Sequence, residues 1–167
     1  MEPKTVGRTS TQQMLRGHGR IPTRGLIAGT IVLTADGEIP VEYINPGDRI
    51  VTRNSGMVRL SDVSCRLARV SMVAVQPGAL GTGIPQTAAI LPADQSVLLR
   101  DWRAEALYGQ KAAIVPVQEL DDGETIRVIG VRTTSLIQLH FDTPQIVYAD
   151  GIEVALASTT GVMAKAA

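Results

Sequence analysis

The sequence predicts an all-β fold, mainly antiparallel, with one short helix. Short apolar runs rich in Val, Ile and Thr recur along the chain, and Gly, Pro, Asn and Asp residues separate them, which is the pattern of short strands. No long helical segment lies between most of these runs. The crossovers that parallel strands require are therefore missing, and neighbouring strands should pair antiparallel.

The first strands follow one another closely. Residues 30–34 (TIVLT) and 49–53 (RIVTR) predict two strands. Asp36-Gly37 and Asn45-Pro46-Gly47-Asp48 are tight-turn signals between these strands, and Asn54-Ser55-Gly56 ends the second one. The start of the domain should therefore be a tightly turning antiparallel unit.

One later segment departs from the strand pattern. It begins with a helix N-cap residue, Asp101, continues with helix formers and ends at Gly109, so it predicts a two-turn helix. Residues 76–86 contain three glycines and two prolines and predict a loop. The other predicted strands are residues 67–75, 88–91, 96–100, 113–117, 125–131, 135–141, 146–149 and 152–155.

Length and composition fit one folded domain with two flanking segments. The chain has 167 residues, of which 44% are hydrophobic and 19% are charged, as in ordinary globular domains. Residues 1–24 have little apolar periodicity and carry five basic side chains against Glu2. We therefore expect a flexible basic N-terminal arm over 1–24, the β domain over 25–155 and a C-terminal tail over 156–167.

Charge and composition indicate which classes of binding partner are expected. A net charge of zero and an aromatic content of 3% make nucleic acid an unexpected partner, although the basic arm leaves a tether to an acidic partner open. No apolar stretch approaches the ~20 residues that cross a bilayer, and no signal-peptide core is present, so no membrane contact and a cytoplasmic location are expected. A protein partner is possible, and the oligomeric state is not predicted.

No cofactor or metal is expected. The chain has one cysteine and two histidines, too few for a metal site built from these ligands. The segment GALGTG (residues 78–83) is similar to a phosphate-binding loop, but no lysine closes it and no helix follows it directly.

His140 is the histidine that lies within the predicted domain, and it is a candidate acid–base group. Alternation along its strand places His140, Gln138 and Leu136 on one face. No serine or cysteine can be paired with His140 from the sequence, so an exposed or hydrogen-bonded strand histidine is expected beside the catalytic alternative.

Three other polar groups are expected to be structural. Cys65 should be buried and inert, although Arg66 beside it could lower the thiol pKa. Residues 121–124, which include three acidic side chains, should form a solvated turn rather than a cation site. The charged segment around Trp102 should be a salt-bridged helix face with the indole packed on the sheet, with partner binding as the alternative.

Four blocks, in order and spacing, resemble a bacterial Hint domain, the hedgehog and intein type of autoprocessing fold. They are residues 25–52 (GLIAGTIVLTADGEIPVEYINPGDRIVT), 76–85 (QPGALGTGIP), 90–109 (ILPADQSVLLRDWRAEALYG) and 136–151 (LIQLHFDTPQIVYADG). The resemblance implies a compact, horseshoe-like β fold with pseudo-twofold symmetry. It also implies that, in active members, a cysteine opens the first block and attacks the preceding carbonyl, while a later histidine helps the amide nitrogen to leave.

This sequence has other residues at the reactive positions that the resemblance assigns. Gly25 stands in place of the cysteine, Asp94 or Gln95 in place of the imidazole, and Pro144 where related sequences often have another histidine. Glycine has no side-chain atom that could attack the carbonyl of Arg24. The resemblance therefore implies a degenerate active site in a domain that has lost autoprocessing and acts as a binding or structural module rather than as an enzyme.

The alternative is residual self-cleavage near Gly25 by another route. The side chains considered for it are Thr30, Asp94, Gln95 and His140. Thr30 and Thr34 are nearby hydroxyl groups in the sequence, but both lie in the predicted strand and the resemblance assigns neither of them the role of nucleophile.

Overall fold

The computed structural model describes residues 25–156, within which the chain forms twelve strands, one α-helix and two 3₁₀ helices. The helix α1 is Trp102–Tyr108, and the 3₁₀ helices are Val41–Tyr43 and Val117–Leu120. The strands are β1 (Leu26–Ile27), β2 (Ile31–Thr34), β3 (Gly37–Pro40), β4 (Arg49–Thr52), β5 (Gly56–Arg59), β6 (Asp62–Val75), β7 (Ala89–Pro92), β8 (Ser96–Leu99), β9 (Ala113–Pro116), β10 (Ile126–His140), β11 (Gln145–Ala149) and β12 (Ile152–Leu156).

The strands form two sheets, and every pairing between strands of the described residues is antiparallel, which confirms the predicted fold class. The first sheet has the order β1-β10-β6-β7. The second has the order β3-β2-β4-β11-β12-β8-β9, with β5 also paired to β4 and β2 also paired to β11. Short turns join three of these neighbouring pairs, β2–β3, β4–β5 and β11–β12, whereas longer segments of the chain separate the strands of the other pairs.

The longest strand pairing of the described residues joins β6 to β10 at the centre of the first sheet. A β-bulge interrupts its register between Val128 and Gly130. The prediction of two separate strands over 125–131 and 135–141 is wrong, because β10 continues through residues 132–134 without a turn. That segment is polar because it is largely exposed, not because the chain reverses there.

Three short strands, β1, β3 and β5, were not predicted from the sequence. β3 has the sequence GEIP and β5 has the sequence GMVR. Glycine, proline and charged residues are uncommon in strands, so neither segment shows the sequence pattern of a strand. Thr30 precedes β2 instead of belonging to it, and Leu156 is the last residue of β12 instead of the first of the tail. The predicted arm and the rest of the predicted tail lie outside the described residues.

Alternation along the strands builds one main apolar core between the sheets. Val32, Ile50, Val147 and Val154 are each fully buried on the inner face of the second sheet, and Phe141 is fully buried in the same cluster. A smaller apolar cluster on the other face of the first sheet has the buried members Val70, Met72 and Leu136. Both faces of the first sheet therefore bury side chains near β1 and β7.

The predicted helix is confirmed together with its caps. Asp101 Oδ1 accepts a hydrogen bond from the backbone N–H of Arg103 at 2.9 Å, and Gly109 ends the helix with a φ of 67°. Burial raises the pKa of Asp101, but the hydrogen bonds and positive charge of Arg103 outweigh it and hold that pKa below its usual value. The expected packing of the indole is wrong, since Trp102 is 74% exposed and Ala104 is the helix residue that is buried.

Asp150 connects the turn between β11 and β12 to β2. Its N–H donates to the carbonyl of Ile31 at 2.7 Å, and its Oδ1 accepts from the N–H of Ile31 at 2.9 Å. Burial raises the pKa of Asp150, the Ile31 hydrogen bond opposes this rise, and the charge of Glu38 adds to it. The net direction is upward, so the folded protein holds the carboxylate less favourably than the unfolded chain does.

We expect Asp150→Asn to raise the melting temperature by about 1–3 °C at pH 7. The amide keeps an oxygen for Ile31 N–H and tolerates the φ of 49° at this position, but it carries no buried charge. The folded pKa lies above the unfolded value, so the cost of the carboxylate appears as pH rises from the unfolded pKa through the folded pKa. The gain should therefore vanish below about pH 4, the ordinary range of an aspartate pKa. A lower melting temperature at pH 7 would contradict the prediction, and Asp36→Asn, in an exposed turn, is the matched control.

Candidate functional site

Gln95 and Gly25 meet in the interior at the beginning of the domain. The backbone N–H of Gly25 donates to Gln95 Oε1 at 3.3 Å, and Gln95 is 1% exposed. Gln95 Nε2 donates to the carbonyls of Ser96 at 3.0 Å and Ala155 at 2.9 Å. The side-chain amide of one buried residue thus joins the first described residue to the last strand, β12.

The position of Gly25 has little room for a side chain. Its φ is 141°, a backbone conformation that residues with a Cβ rarely adopt. A Cβ built there would lie 3.1 Å from the carbonyl oxygen of Ile137 and 3.3 Å from Gln138 Cγ. Any residue other than glycine would therefore require a shift of the backbone at this position.

The structure separates the two candidates for the position of the imidazole. Gln95 contacts the amide nitrogen of Gly25, whereas the carboxylate of Asp94 accepts a hydrogen bond from Gln118 Nε2 at 3.0 Å. Both amide hydrogens of Gln95 point to carbonyl oxygens, and its oxygen faces the N–H of Gly25. In this arrangement Gln95 accepts a hydrogen bond and has no proton to give to a leaving amine.

The threonine hydroxyls near Gly25 in the sequence have different surroundings. Thr34 Oγ1 donates to the carbonyl of Gly37 at 2.8 Å and accepts from the N–H of Asp36 at 3.1 Å, so it organises the turn after β2. Thr30 is 2% exposed, and its Oγ1 has no hydrogen-bond partner within residues 25–156. In that range, neither hydroxyl forms a hydrogen bond with Gly25 or Gln95.

His140 has a partner that the sequence did not suggest. Its Nε2 lies 2.7 Å from Ser64 Oγ, near the surface of the first sheet. A serine hydroxyl within hydrogen-bond reach of an imidazole is the arrangement by which a base activates a nucleophile. The expectation of a hydrogen-bonded strand histidine is confirmed. The contact follows from the register of β6 and β10, in which residue 62 lies opposite His140 and Ser64 lies opposite Gln138. A single sequence does not contain this register.

The Ser64–His140 pair is separated from Gly25 by a strand. β1 pairs with β10 with Leu26 opposite Ile137, so the next position places Gly25 beside Gln138 on one side, while Ser64 lies beside Gln138 on the other. Two strand spacings amount to about 10 Å. This distance is too long for the Ser64 hydroxyl to attack the peptide bond before Gly25 without a rearrangement.

The remaining polar candidates do not form a catalytic cluster within residues 25–156. Cys65 is exposed, so the prediction of a buried cysteine is wrong. Within the described residues β6 pairs with β7 only over Met72–Val75, so Cys65 lies where β6 is an edge strand of the sheet. The prediction of a solvated turn at residues 121–124 is confirmed, because these residues are exposed and Asp122 Oδ1 accepts N–H groups from residues 124 to 126. These bonds hold the pKa of Asp122 well below its usual value.

Glu153 is a buried acid that the sequence reasoning missed. Arg100 contacts it with two nitrogens, Nε at 3.0 Å and Nη2 at 2.6 Å, and Arg53 Nη1 lies at 3.3 Å. The network borders a cavity of about 260 Å³ between the 79–84 loop and the second sheet. It joins β12 to residues that directly follow β4 and β8, and it holds a carboxylate that is largely removed from solvent.

Residues 25–156 contain neither a group of metal-binding side chains nor a membrane-spanning helix. No group of three or more His, Cys, Asp or Glu side chains in this range could hold a metal ion. No helix in the same range is long and apolar enough to cross a membrane.

Comparison with known proteins agrees with the fold and with the resemblance. The family model described as the Hint domain matches residues 24–156. A bacterial intein-like domain from Clostridium thermocellum has a similar structure, with a TM-score of 0.54, 16% identity and coverage of 81% of this chain and 99% of that one. A variant of the MchDnaB-1 intein gives a TM-score of 0.51 at 11% identity, covering 80% of this chain and 99% of the intein. No curated protein matches by sequence. The chain belongs to the Hint domain family.

Proposed function

We propose that this Hint domain has lost autoprocessing and acts as a binding or structural module. The observation that carries the proposal is the hydrogen bond from the N–H of Gly25 to Gln95 Oε1. The residue at the cleavage position has no nucleophile, and the side chain beside its nitrogen presents an amide oxygen, which has no proton to donate. Both chemical requirements of an acyl shift are absent at the position where the family resemblance places them.

The second observation in support is the conformation of Gly25. A cysteine at this position would bring its Cβ against the carbonyl of Ile137 and would need an unfavourable φ. The site has therefore adapted its backbone to glycine as well as losing the thiol. We also propose a cytoplasmic location, for which the single, exposed cysteine is suitable because a reducing compartment keeps thiols free.

The proposal is tested with a reporter protein fused before Met1 and expressed with the complete chain. We expect the fusion to accumulate at full length, with no free reporter after a day near neutral pH, because the peptide bond before Gly25 has no attacking group. Release of the reporter, with a new N-terminus at Gly25, would contradict the proposal. A fused intein with an intact cysteine is the positive control for cleavage.

A second candidate function is residual self-cleavage, and the Ser64–His140 pair is the observation that favours it. Ser64 Oγ would attack the carbonyl carbon before Gly25, and His140 would take the hydroxyl proton and pass it to the amine as the C–N bond breaks. Water would then hydrolyse the ester formed on Ser64 and release the upstream segment. The intervening strand makes this the weaker candidate. If the fusion is cleaved, Ser64→Ala and His140→Gln should each stop the reaction, whereas Ser61→Ala should leave it unchanged.

A further inference from the structure

The second sheet has an apolar outer face that belongs to neither core cluster. Inner positions such as Val32 and Val147 are buried, and the alternate positions point to the opposite side. On β2, β4, β5 and β11 the residues on that opposite side are partly or largely exposed, and neither apolar cluster of the described chain includes their apolar members. We define the outer apolar face by Ile31, Leu33, Val51, Met57, Ile146 and Tyr148.

Strand register makes this face continuous. Leu33 lies opposite Glu38, and Val51 lies opposite Met57. Because Thr34 is opposite Ile50 in the pairing of β2 with β4, Leu33 and Val51 are lateral neighbours. Four adjacent strands therefore carry one row of side chains about 15 Å wide. Met57, at the end of the row, is 59% exposed.

Two arginines border this row on the same side of the sheet. Arg49 lies directly opposite Arg59 in the pairing of β4 with β5, two residues along from the pair of Val51 and Met57. Like charges in this arrangement repel each other and destabilise the pairing. In the described part of the chain, no carboxylate forms an ion pair with either guanidinium, while other arginines such as Arg100 have such partners. The described part of the chain thus carries a pair of positive charges that no ion pair within it offsets, beside an apolar surface.

We propose that the outer apolar face binds an acidic segment of another polypeptide. Its apolar side chains would cover the row from Leu33 to Met57, and its carboxylates would bind the guanidiniums of Arg49 and Arg59 in the fork geometry that arginine favours. The proposal rests on the proposed binding role and supplies the chemistry of the partner. Charge disfavours a second copy whose arginine end faces that of the first, because this arrangement would bring four arginines together.

A polypeptide also fits the surface better than a nucleic acid does. Nucleic-acid sites combine extended positive charge with aromatic side chains for base stacking. Here the arginine pair lies at one end of the face, Arg53 at the other end forms an ion pair with Glu153, and Tyr148 is the one aromatic member of the face. An apolar centre with a charged rim is typical of protein interfaces.

The test uses the full chain labelled with ¹⁵N and a synthetic amphipathic peptide made of leucine and glutamate. We expect amide shifts at Leu33, Val51 and Met57 on addition of this peptide, and binding that weakens with salt. The double substitution of Arg49→Gln with Arg59→Gln should weaken binding by about tenfold or more. This variant should fold, because it removes a repulsion. The control is Arg127→Gln with Arg132→Gln, two exposed arginines of β10, which should bind like the parent.

Several outcomes would overturn the inference. These are shifts outside the outer apolar face, equal binding of a leucine and lysine peptide, unchanged affinity in the Arg49/Arg59 variant, or equal or tighter binding of single-stranded DNA. The intact mass of each sample is recorded alongside. A cleaved chain would contradict the proposed function, whereas an intact chain that does not bind the acidic peptide would contradict this inference alone.

Discussion

Replacement of Gln95 by glutamate is expected to destabilise the protein by about 3–5 kcal/mol at pH 7, the cost of an uncompensated buried charge. The shape of the side chain is conserved, and one oxygen can still accept from the N–H of Gly25. The other oxygen then faces the carbonyls of Ser96 and Ala155, to which Gln95 Nε2 donates. In the interior, a carboxylate oxygen would replace the N–H donor, so contacts between two acceptors would replace the hydrogen bonds to these carbonyls.

The pH dependence of this variant shows whether its loss of stability comes from the buried charge or from altered packing. Burial and the two carbonyls raise the pKa of the introduced carboxyl, so its cost is present at neutral pH and decreases as pH falls and the group becomes protonated. Denaturant unfolding at pH 7 and at about pH 4.5, each compared with the parent protein, measures it. Gln110→Glu, at an exposed position, should change stability by less than about 0.5 kcal/mol. An equal loss at both pH values would show that the buried charge is not the cause.

The second large effect is expected at Gly25. Gly25→Cys should cost about 2–4 kcal/mol, because the residue would need a strained φ and would press its Cβ on the carbonyl of Ile137. The double substitution of Gly25→Cys with Gln95→His supplies both reactive groups that the family resemblance assigns. We still expect no rapid cleavage, because the backbone at residue 25 is adapted to glycine.

Comparison of two glycine variants separates the cost of the unfavourable φ from the cost of the close contacts. Gly83 has a φ of 70° and no atom within 4 Å of the place that a Cβ would occupy, whereas Gly25 has both an unfavourable φ and close neighbours. Gly25→Ala should therefore be more destabilising than Gly83→Ala in thermal unfolding. Fast thioester formation by the double variant, detected with hydroxylamine, would contradict the account, since the glycine backbone would then present no obstacle.

The fold could be predicted where turn residues and apolar alternation agree. The helix at Trp102–Tyr108 follows from its caps, and β4 follows from RIVT between two turn signals. β1 could not be predicted, because two residues carry no period and the strand exists only through its pairing with β10. The break expected within β10 was wrong for a related reason: exposed polar residues in a long two-stranded ribbon look like a turn.

The site could be predicted only to within a pair of residues. The family resemblance implied Asp94 or Gln95 in place of the imidazole, and of these two Gln95 is the one that contacts the Gly25 nitrogen. The Ser64–His140 contact and the ion pairs of Glu153 join residues far apart in the chain. Such contacts depend on register and sheet order, which a single sequence does not contain.

The central claim is that the peptide bond before Gly25 stays intact in the folded protein. The measurement that tests it most directly is the intact mass of the purified full-length chain over a day at neutral pH, with and without hydroxylamine or a thiol. We predict one stable full-length mass under all of these conditions. A fragment that begins at Gly25, increasing with time or with added nucleophile, would contradict the claim and show that the reaction persists without the cysteine.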